Sequence, residues 1–319
     1  MKFSTRALSV TFAGLLCLAG SASAVELPCN TARVLVPWGP GGETDILNRI
    51  ITDAANRLGA VATLQVVNIK GQGGIKGTKE AAKAKPDGCT VFATFQHVLS
   101  SNLTGRSDLT YTDFEPAARM VQTASIIGAA EGAPFNDYKS MQAYAKANPG
   151  KVLAGGTLGS TSHFTLLQVQ DALDIDMKVV SYDGTADRIK AMLSNTIHIA
   201  QVSEATAAKH VQSGKLKVLA INADERSTVL PDLPTAREQG FNLSITSDRG
   251  WVLPKGTSAE IVNYYADLLE KVANDPEFIK AITSKGSKVA YLRGEAYQQW
   301  WKDTNDDWTR IAKKLGVMK

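Results

Sequence analysis

The chain has 319 residues, 35 of them basic and 31 acidic, for a formal charge of +4, and 44% of them are hydrophobic. The charges are interspersed, with no long basic run and no basic stripe alternating with aromatics, which excludes nucleic acid as a partner class. Beyond the N-terminal segment, no stretch approaches the roughly 20 apolar residues of a membrane-spanning helix.

Residues 1–24 read as a cleaved signal peptide. Lys2 and Arg6 give a basic start, residues 8–18 are mostly apolar, and Ala22-Ser23-Ala24 supplies the small residues of a peptidase site. Leu16 stands before Cys17 where a lipoprotein signal carries a small residue, so no lipid anchor is expected. Cleavage near Ala24 sends roughly 295 residues to the periplasm, a length that suits two lobes better than one core. Losing Lys2 and Arg6 takes the charge from +4 to +2. Two cysteines remain, Cys29 and Cys89, each just ahead of an apolar stretch. If those stretches are neighbouring parallel strands their starting ends meet, and in an oxidising compartment a disulfide is favoured over two unpaired thiols.

Short β-branched runs then alternate with segments of helical period, the pattern of α/β lobes with mainly parallel sheets. Residues 33–37 read as a strand and 44–58 as a helix, with Leu47, Ile50, Ile51, Ala54 and Leu58 on one stripe. A strand at 64–68, a helix at 76–84 closed by Pro86-Asp87-Gly88, and a strand at 90–94 complete a βαβαβ half. A second half begins near Thr123: strands at 126–127, 152–154, 179–180, 197–200 and 218–221, and helices at 140–147, 162–173 and 185–193. Residues 244–253 return the chain to the first half. Thr257-Ser258-Ala259-Glu260 has the form of a capping box, and Trp300, Trp301, Trp308, Ile311 and Leu315 form a final amphipathic stripe read as core.

Two strand-to-helix turns carry the chemistry. In Trp38-Gly39-Pro40-Gly41-Gly42-Glu43-Thr44, the glycines permit backbone shapes closed to other residues and Thr44 is placed to cap the helix. Free N–H groups at a helix N-terminus attract carboxylate or phosphate, although a tight turn without a ligand fits the spacing equally well. Thr157-Leu158-Gly159-Ser160-Thr161-Ser162-His163 repeats the theme in the second half, with hydroxyls added. Both turns follow strand ends, where open α/β sheets bind ligands. His97 and His163 are candidates for ligand contact or for packing. No metal-ligand spacing, Walker loop, dinucleotide fingerprint or nucleophile elbow occurs, so no metal, cofactor or catalytic residue is expected.

The motifs Val36-Pro37-Trp38-Gly39-Pro40-Gly41-Gly42-Glu43-Thr44-Asp45, Asn68-Ile69-Lys70-Gly71-Gln72-Gly73-Gly74, Pro86-Asp87-Gly88 and Asp113-Phe114-Glu115-Pro116 come in order along the chain. Gly159-Ser160-Thr161-Ser162-His163, Gly214-Lys215-Leu216-Lys217-Val218-Leu219-Ala220, Pro234-Thr235-Ala236-Arg237-Glu238-Gln239-Gly240-Phe241 and Pro254-Lys255-Gly256-Thr257 follow. Together they resemble the receptors of tripartite tricarboxylate transporters, the Bug family, over essentially the whole mature chain. The resemblance implies an α/β, two-lobed periplasmic binding protein fold of type II, with two doubly wound sheets joined by crossing strands and a cleft between them. Lobe 1 would comprise residues 25–122 and 247–319, lobe 2 residues 123–246, with crossings at 121–125 and 247–253.

It also implies a monomer without cofactor that captures a small carboxylate: a di- or tricarboxylate, an acidic amino acid or an aromatic carboxylate. The receptor would hand the ligand to a permease of one large and one small subunit. Carried over by motif, the contacts fall on Trp38, Gly39, Gly41, Gly42, Glu43, Thr44, Thr157, Gly159, Ser160, Thr161, Ser162, His163, Tyr182 and Asp183, with Gln96 and His97 beside them. Two residues depart from the family pattern. Glu43 replaces a small residue, so it either faces solvent or meets a positive group on the ligand. His198 stands where an Asp is common. Rival readings are an exported enzyme using His163 or Asp183 as acid or base, and a sensory receptor.

Overall fold

In a computed structural model, the structure describes residues 25–182, 184–227 and 229–319. The signal segment with its cleavage point and Asp183 lie outside the described residues.

Three parallel strands, β1 (Thr31–Val36), β2 (Thr63–Asn68) and β3 (Thr90–Thr94), form one side of the first sheet. All five residues of β3, Thr-Val-Phe-Ala-Thr, are buried, as a strand covered on both faces requires. Next to β3 run β9 (Thr246–Pro254), then β4 (Phe114–Ala130), then β10 (Ser287–Arg293), all antiparallel to their neighbours. Helices α1 (Glu43–Arg57), α8 (Ala259–Ala273) and α9 (Pro276–Thr283) cover one face through Leu47, Ile51, Tyr265, Leu269 and Phe278. Helices α2 (Ile75–Ala82), α3 (His97–Leu103) and α10 (Gly294–Lys314) cover the other through Ala81, Leu99, Tyr297 and Trp301.

The second sheet has the order β8 (Leu216–Asn222), β4, β7 (Ile199–Val202), β5 (Val152–Gly156), β6 (Met177–Ser181). Helices α4 (Tyr138–Ala147), α5 (Thr161–Leu173), α6 (Thr185–Leu193) and α7 (Glu204–Gln212) accompany it, and a separate core is built around Ile126, Met141, Val169, Met192, Ile199 and Ile221.

One strand therefore serves both sheets. The first part of β4, to Ala124, pairs with β9, and from Ser125 onward it pairs with β7 and β8. The chain returns at Ile245, whose N–H donates to Asn222 and whose carbonyl accepts from Ser125 at 2.8 Å. The switch from one sheet to the other lies at Ala124–Ser125 on β4 and at Ile245–Thr246 on the returning chain. A strand leaving one half and a strand re-entering it must run in opposite directions, so the centre of a sheet expected to be mainly parallel is antiparallel.

Local expectations are corrected at several points. Residues 114–122 gave no strand signal because Glu115, Pro116 and Arg119 interrupt the apolar pattern; register shifts at Pro116/Ala118 and Arg119/Val121 absorb them. The N-cap of α1 is Gly42, one residue before Glu43, so Thr44 is inside the helix and does not cap it. The cap of α8 is Ser258, which accepts from Ile261 N–H, not Thr257. The segments α3, α7, α9 and β10 were not anticipated.

The Trp308 stripe is core, but it is core shared between halves. Phe164 of α5 stacks on Trp308 of α10 with ring centroids 4.6 Å apart, and Asp171 of α5 pairs with Arg310 at 2.9 Å and Lys314 at 2.6 Å. Among the described residues no helix is long and apolar enough to cross a membrane.

Cys29 and Cys89 are joined, with Cα atoms 6.1 Å apart at a sequence separation of 60. The N–H of Arg33 in β1 donates to the Cys89 carbonyl at 2.9 Å, so the bridge staples the starting ends of two adjacent strands. Closing a loop of that length removes unfolded-state entropy equivalent to about 4 kcal/mol. Replacing both cysteines by serine is expected to lower unfolding free energy in guanidinium by about that amount. An unchanged midpoint would show that the bridge does not stabilise the fold.

Candidate ligand-binding site

The register fixes where the turns lie. Thr94, at the end of β3, pairs with Gly250, four residues into β9 from the crossing, and β1 and β2 run parallel to β3. Val202, at the end of β7, pairs with Ile126, two residues beyond the crossing on β4, and β5 and β6 run parallel to β7. The C-terminal ends of all six parallel strands therefore point toward the crossing from opposite sides.

In the first half, Gly41 adopts a φ of +80° and its N–H donates to Asp45 Oδ2 at 2.8 Å, which draws the turn back onto its own helix. Asn68, at the end of β2, donates to the Trp38 carbonyl and to Asp45 Oδ1. Gly39 is half-buried against the Lys70 side chain, and Gly42 is exposed. Trp38 lies half-buried, its ring 5.9 Å from those of Phe95 and His97. Glu43 neither faces solvent freely nor lacks a cation: it pairs with Arg249 of β9, whose Nε donates to Thr44 Oγ1 and whose Nη1 donates to Thr123 of β4.

Gln96 and His97 are deeply buried. Gln96 donates to Thr246 and Asp248 and accepts from Asp248 N–H, so its amide is committed to β9. His97 sits among Phe92, Phe95 and Trp38 with Nε2 3.1 Å from Thr78 Oγ1, and burial depresses its pKa to about 3. Both side chains brace the wall behind the turn.

In the second half, the hydroxyls expected to meet a ligand are mostly engaged with nearby main-chain groups. Thr157 Oγ1 donates to the Tyr182 carbonyl at 2.6 Å, Ser160 Oγ donates to the Thr157 carbonyl at 2.7 Å, and Ser162 Oγ accepts from Thr157 N–H. His163 Nδ1 accepts from Gly159 N–H at 3.2 Å, which places its proton on Nε2, and burial lowers its pKa. A neutral imidazole whose basic nitrogen is occupied fastens the turn. Thr161 is half-buried, and no side chain caps α5. Tyr182 is half-buried on the strand edge. His198 has a scaffolding role as well, accepting from Leu153 N–H.

Three arginines, none signalled by a glycine motif, organise these turns. Arg106, just after α3, donates to the carbonyls of Gln72 and Gly159, both at 3.3 Å, and so ties the turn after β2 to the turn after β5. Arg249 joins α1 to β4 and β9. Arg188 of α6 is only 4% exposed; it donates to Thr157 and Ser162 Oγ from Nη1 and to Thr185 Oγ1 from Nη2, and its Nε has no partner. Among the described residues no carboxylate pairs with it, and burial alone lowers its pKa. A guanidinium keeps its proton even so, and a buried charge answered only by hydroxyl dipoles costs several kcal/mol. No sequence motif marks Arg188, and Arg249 lies in the segment 244–253 that returns the chain to the first half.

Two α/β halves joined by crossing strands, with helix N-termini and buried cations facing the junction, define a solute-binding protein. A TctC solute-binding protein from Polaromonas superposes with a TM-score of 0.74 at 27% identity, covering 90% of this chain and 99% of that one. The periplasmic binding protein BugD gives 0.74 at 28% identity, covering 91% and 98%. In sequence, Protein BugT of Bordetella pertussis is 25% identical over 309 residues, 94% of each chain. Residues 47–317 match the model of the tripartite tricarboxylate transporter family receptor, and the chain belongs to that family.

Two expectations follow from the packing of the turns. A Cβ on Gly159, at φ +72°, would lie 2.6 Å from Arg106 Cδ and 2.9 Å from Thr104 Oγ1, whereas one on Gly41 would meet nothing within 4 Å. Gly159→Ala should therefore cost about 2–3 kcal/mol in denaturant titration and Gly41→Ala only about 1; equal costs would contradict the close approach of Arg106. His97 is neutral when folded and takes a proton near 6.5 when unfolded, so its contribution is present above that pH and fades as the pH drops toward 3. Between pH 7 and pH 5 the unfolding free energy should fall by about 2 kcal/mol more in the parent protein than in His97→Gln. An identical fall in both would sink this assignment.

Proposed function

We propose that the chain is a periplasmic receptor that encloses a small carboxylate between the turns after β1 and β5 and delivers it to a membrane permease. One observation carries the reading most: the uncapped N-terminus of α5 is backed by the buried guanidinium of Arg188, which pairs with no carboxylate among the described residues. The first N–H groups of a helix have no partner within it, and its N-terminus carries a partial positive charge. With Arg188 behind them, those groups make a carboxylate the natural complement. Because the Ser160 and Ser162 hydroxyls are turned inward, they shape the site, and main-chain N–H groups do the holding.

The first turn supplies the opposing surface through Trp38 and the exposed Gly41–Gly42 backbone, with Thr161 and Tyr182 at the margins. Asp183 adjoins Tyr182 in sequence. Each hydrogen bond to a charged oxygen is worth roughly 1.5–3 kcal/mol net. A few of them, less the cost of association, reach micromolar affinity at about −8 kcal/mol. The docking of α5 on α10 through Phe164–Trp308 and Asp171–Arg310 marks the surface that changes if the halves rotate about the crossing.

The same fold holds malate in one Rhodopseudomonas palustris protein and adipate in another, so these two acids are the first probes. Calorimetric titration of the purified protein should give a dissociation constant on the order of micromolar for a carboxylate of this size. Arg188→Met should weaken it about 10-fold or more. Unchanged affinity in that variant would remove Arg188 and the α5 N-terminus from the site.

A further inference from the structure

A hollow of about 180 Å³ lies at the crossing and is walled by both halves. Gln122, Ser244 and Thr246 of the crossing segments line it, Gly286 closes it from the first half just before β10, and Glu204, the first residue of α7, closes it from the second. Glu204 is 4% exposed, and its Oε1 has no hydrogen-bond partner among the described residues. A Cβ on Gly286 would stand 2.7 Å from Glu204 Oε2. The first half thus covers a carboxyl of the second with no room for a methyl group between them.

The charges around this carboxyl are committed elsewhere or solvated. On the segment after β8, Asp224 pairs with Arg237 and Arg226 with Glu238; on the crossing strands, Arg119 of β4 pairs with Asp248 of β9. Glu225, Lys285 and Lys288 are exposed, and Lys209 and His210 stand in the last turn of α7, away from Glu204. Burial first, offset only in part by the Val229 N–H, and then the charge of Glu43, push the Glu204 carboxyl up to about 7. An ionised carboxylate sealed in without a cation is costly; it takes up a proton or regains water.

The same arrangement holds the halves together across the site. Arg106 bridges the carbonyls of Gln72 and Gly159, and Phe164 stacks on Trp308. Because Gly286 already lies against Oε2, a rotation about the crossing moves the two apart, not closer. We propose that Glu204 is a proton switch on the crossing, protonated while the halves are together and ionised once they part. The proposal goes beyond ligand capture: it rests on rotation about the crossing, not on which acid is bound. Low pH then favours the closed form, and closure takes up a proton.

Small-angle X-ray scattering of the purified protein without ligand tests the switch directly. The radius of gyration should be smaller at pH 6 than at pH 8, and Glu204→Gln, which mimics the protonated carboxyl, should stay compact at both. An equal radius at the two pH values in the parent protein, or a variant that expands as the parent does, would overturn the proposal. Should the variant fail to fold, carbon-13 NMR of the glutamate-labelled parent reads the same group: one side-chain carboxyl titrating near 7 is expected, and none above the ordinary range near 4.3 would contradict it. In calorimetry with adipate or malate, affinity should rise about 10-fold from pH 8 to pH 6 in the parent and stay level in Glu204→Gln. A level profile in the parent would count against the switch. No heat from either acid would defeat the carboxylate reading alone, since the scattering result is obtained without ligand.

Discussion

The antiparallel pairing of β4 with β9 is the constraint on which the rest of the structure depends. β4 leaves the first half and continues as the central strand of the second, and β9 re-enters along it. Because β3 is antiparallel to β9 and β7 is antiparallel to β4, the parallel strands of both sheets must end at the same junction. Every turn with binding chemistry is carried there by hydrogen-bond register, before any side chain is considered. A ligand at the junction touches both halves at once, which is the geometry a closing receptor needs.

The charges at the junction are sorted by half. On the second half, Arg188 lies beneath the α5 turn with hydroxyls for partners. On the first half, Arg249 is consumed by Glu43, Thr44 and Thr123. Among the described residues Arg188 has no carboxylate partner, whereas Arg249 is paired. Arg106, with a purely main-chain set of acceptors, spans between the turns and adds mechanical coupling.

Much of this was legible in the sequence where local physics decides the outcome. The βαβαβ halves follow from hydrophobic period, the two glycine turns from the backbone freedom that their positions demand, and the Cys29–Cys89 bridge from strand adjacency. What was hidden depends on tertiary partners. Residues 114–122 form a strand because β9 and β10 flank them, and neither neighbour is visible along the chain. The turn hydroxyls looked like ligand donors, yet Ser160 and Thr157 spend their protons on nearby carbonyls. His97, a candidate for ligand contact or for packing, is a packed ring. Arg188 and Glu204 are buried, and nothing in a single sequence reports that a charge is buried. Glu43 departs from the family pattern in the sequence, and its partner lies 206 residues away in Arg249.

A crystal structure of the protein with a captured carboxylate tests the central claim most directly. The account predicts carboxylate oxygens about 3 Å from the main-chain N–H groups of Thr161 and Ser162, between the two halves. Density for the anion on an outer face, with the α5 turn left open to water, would contradict it.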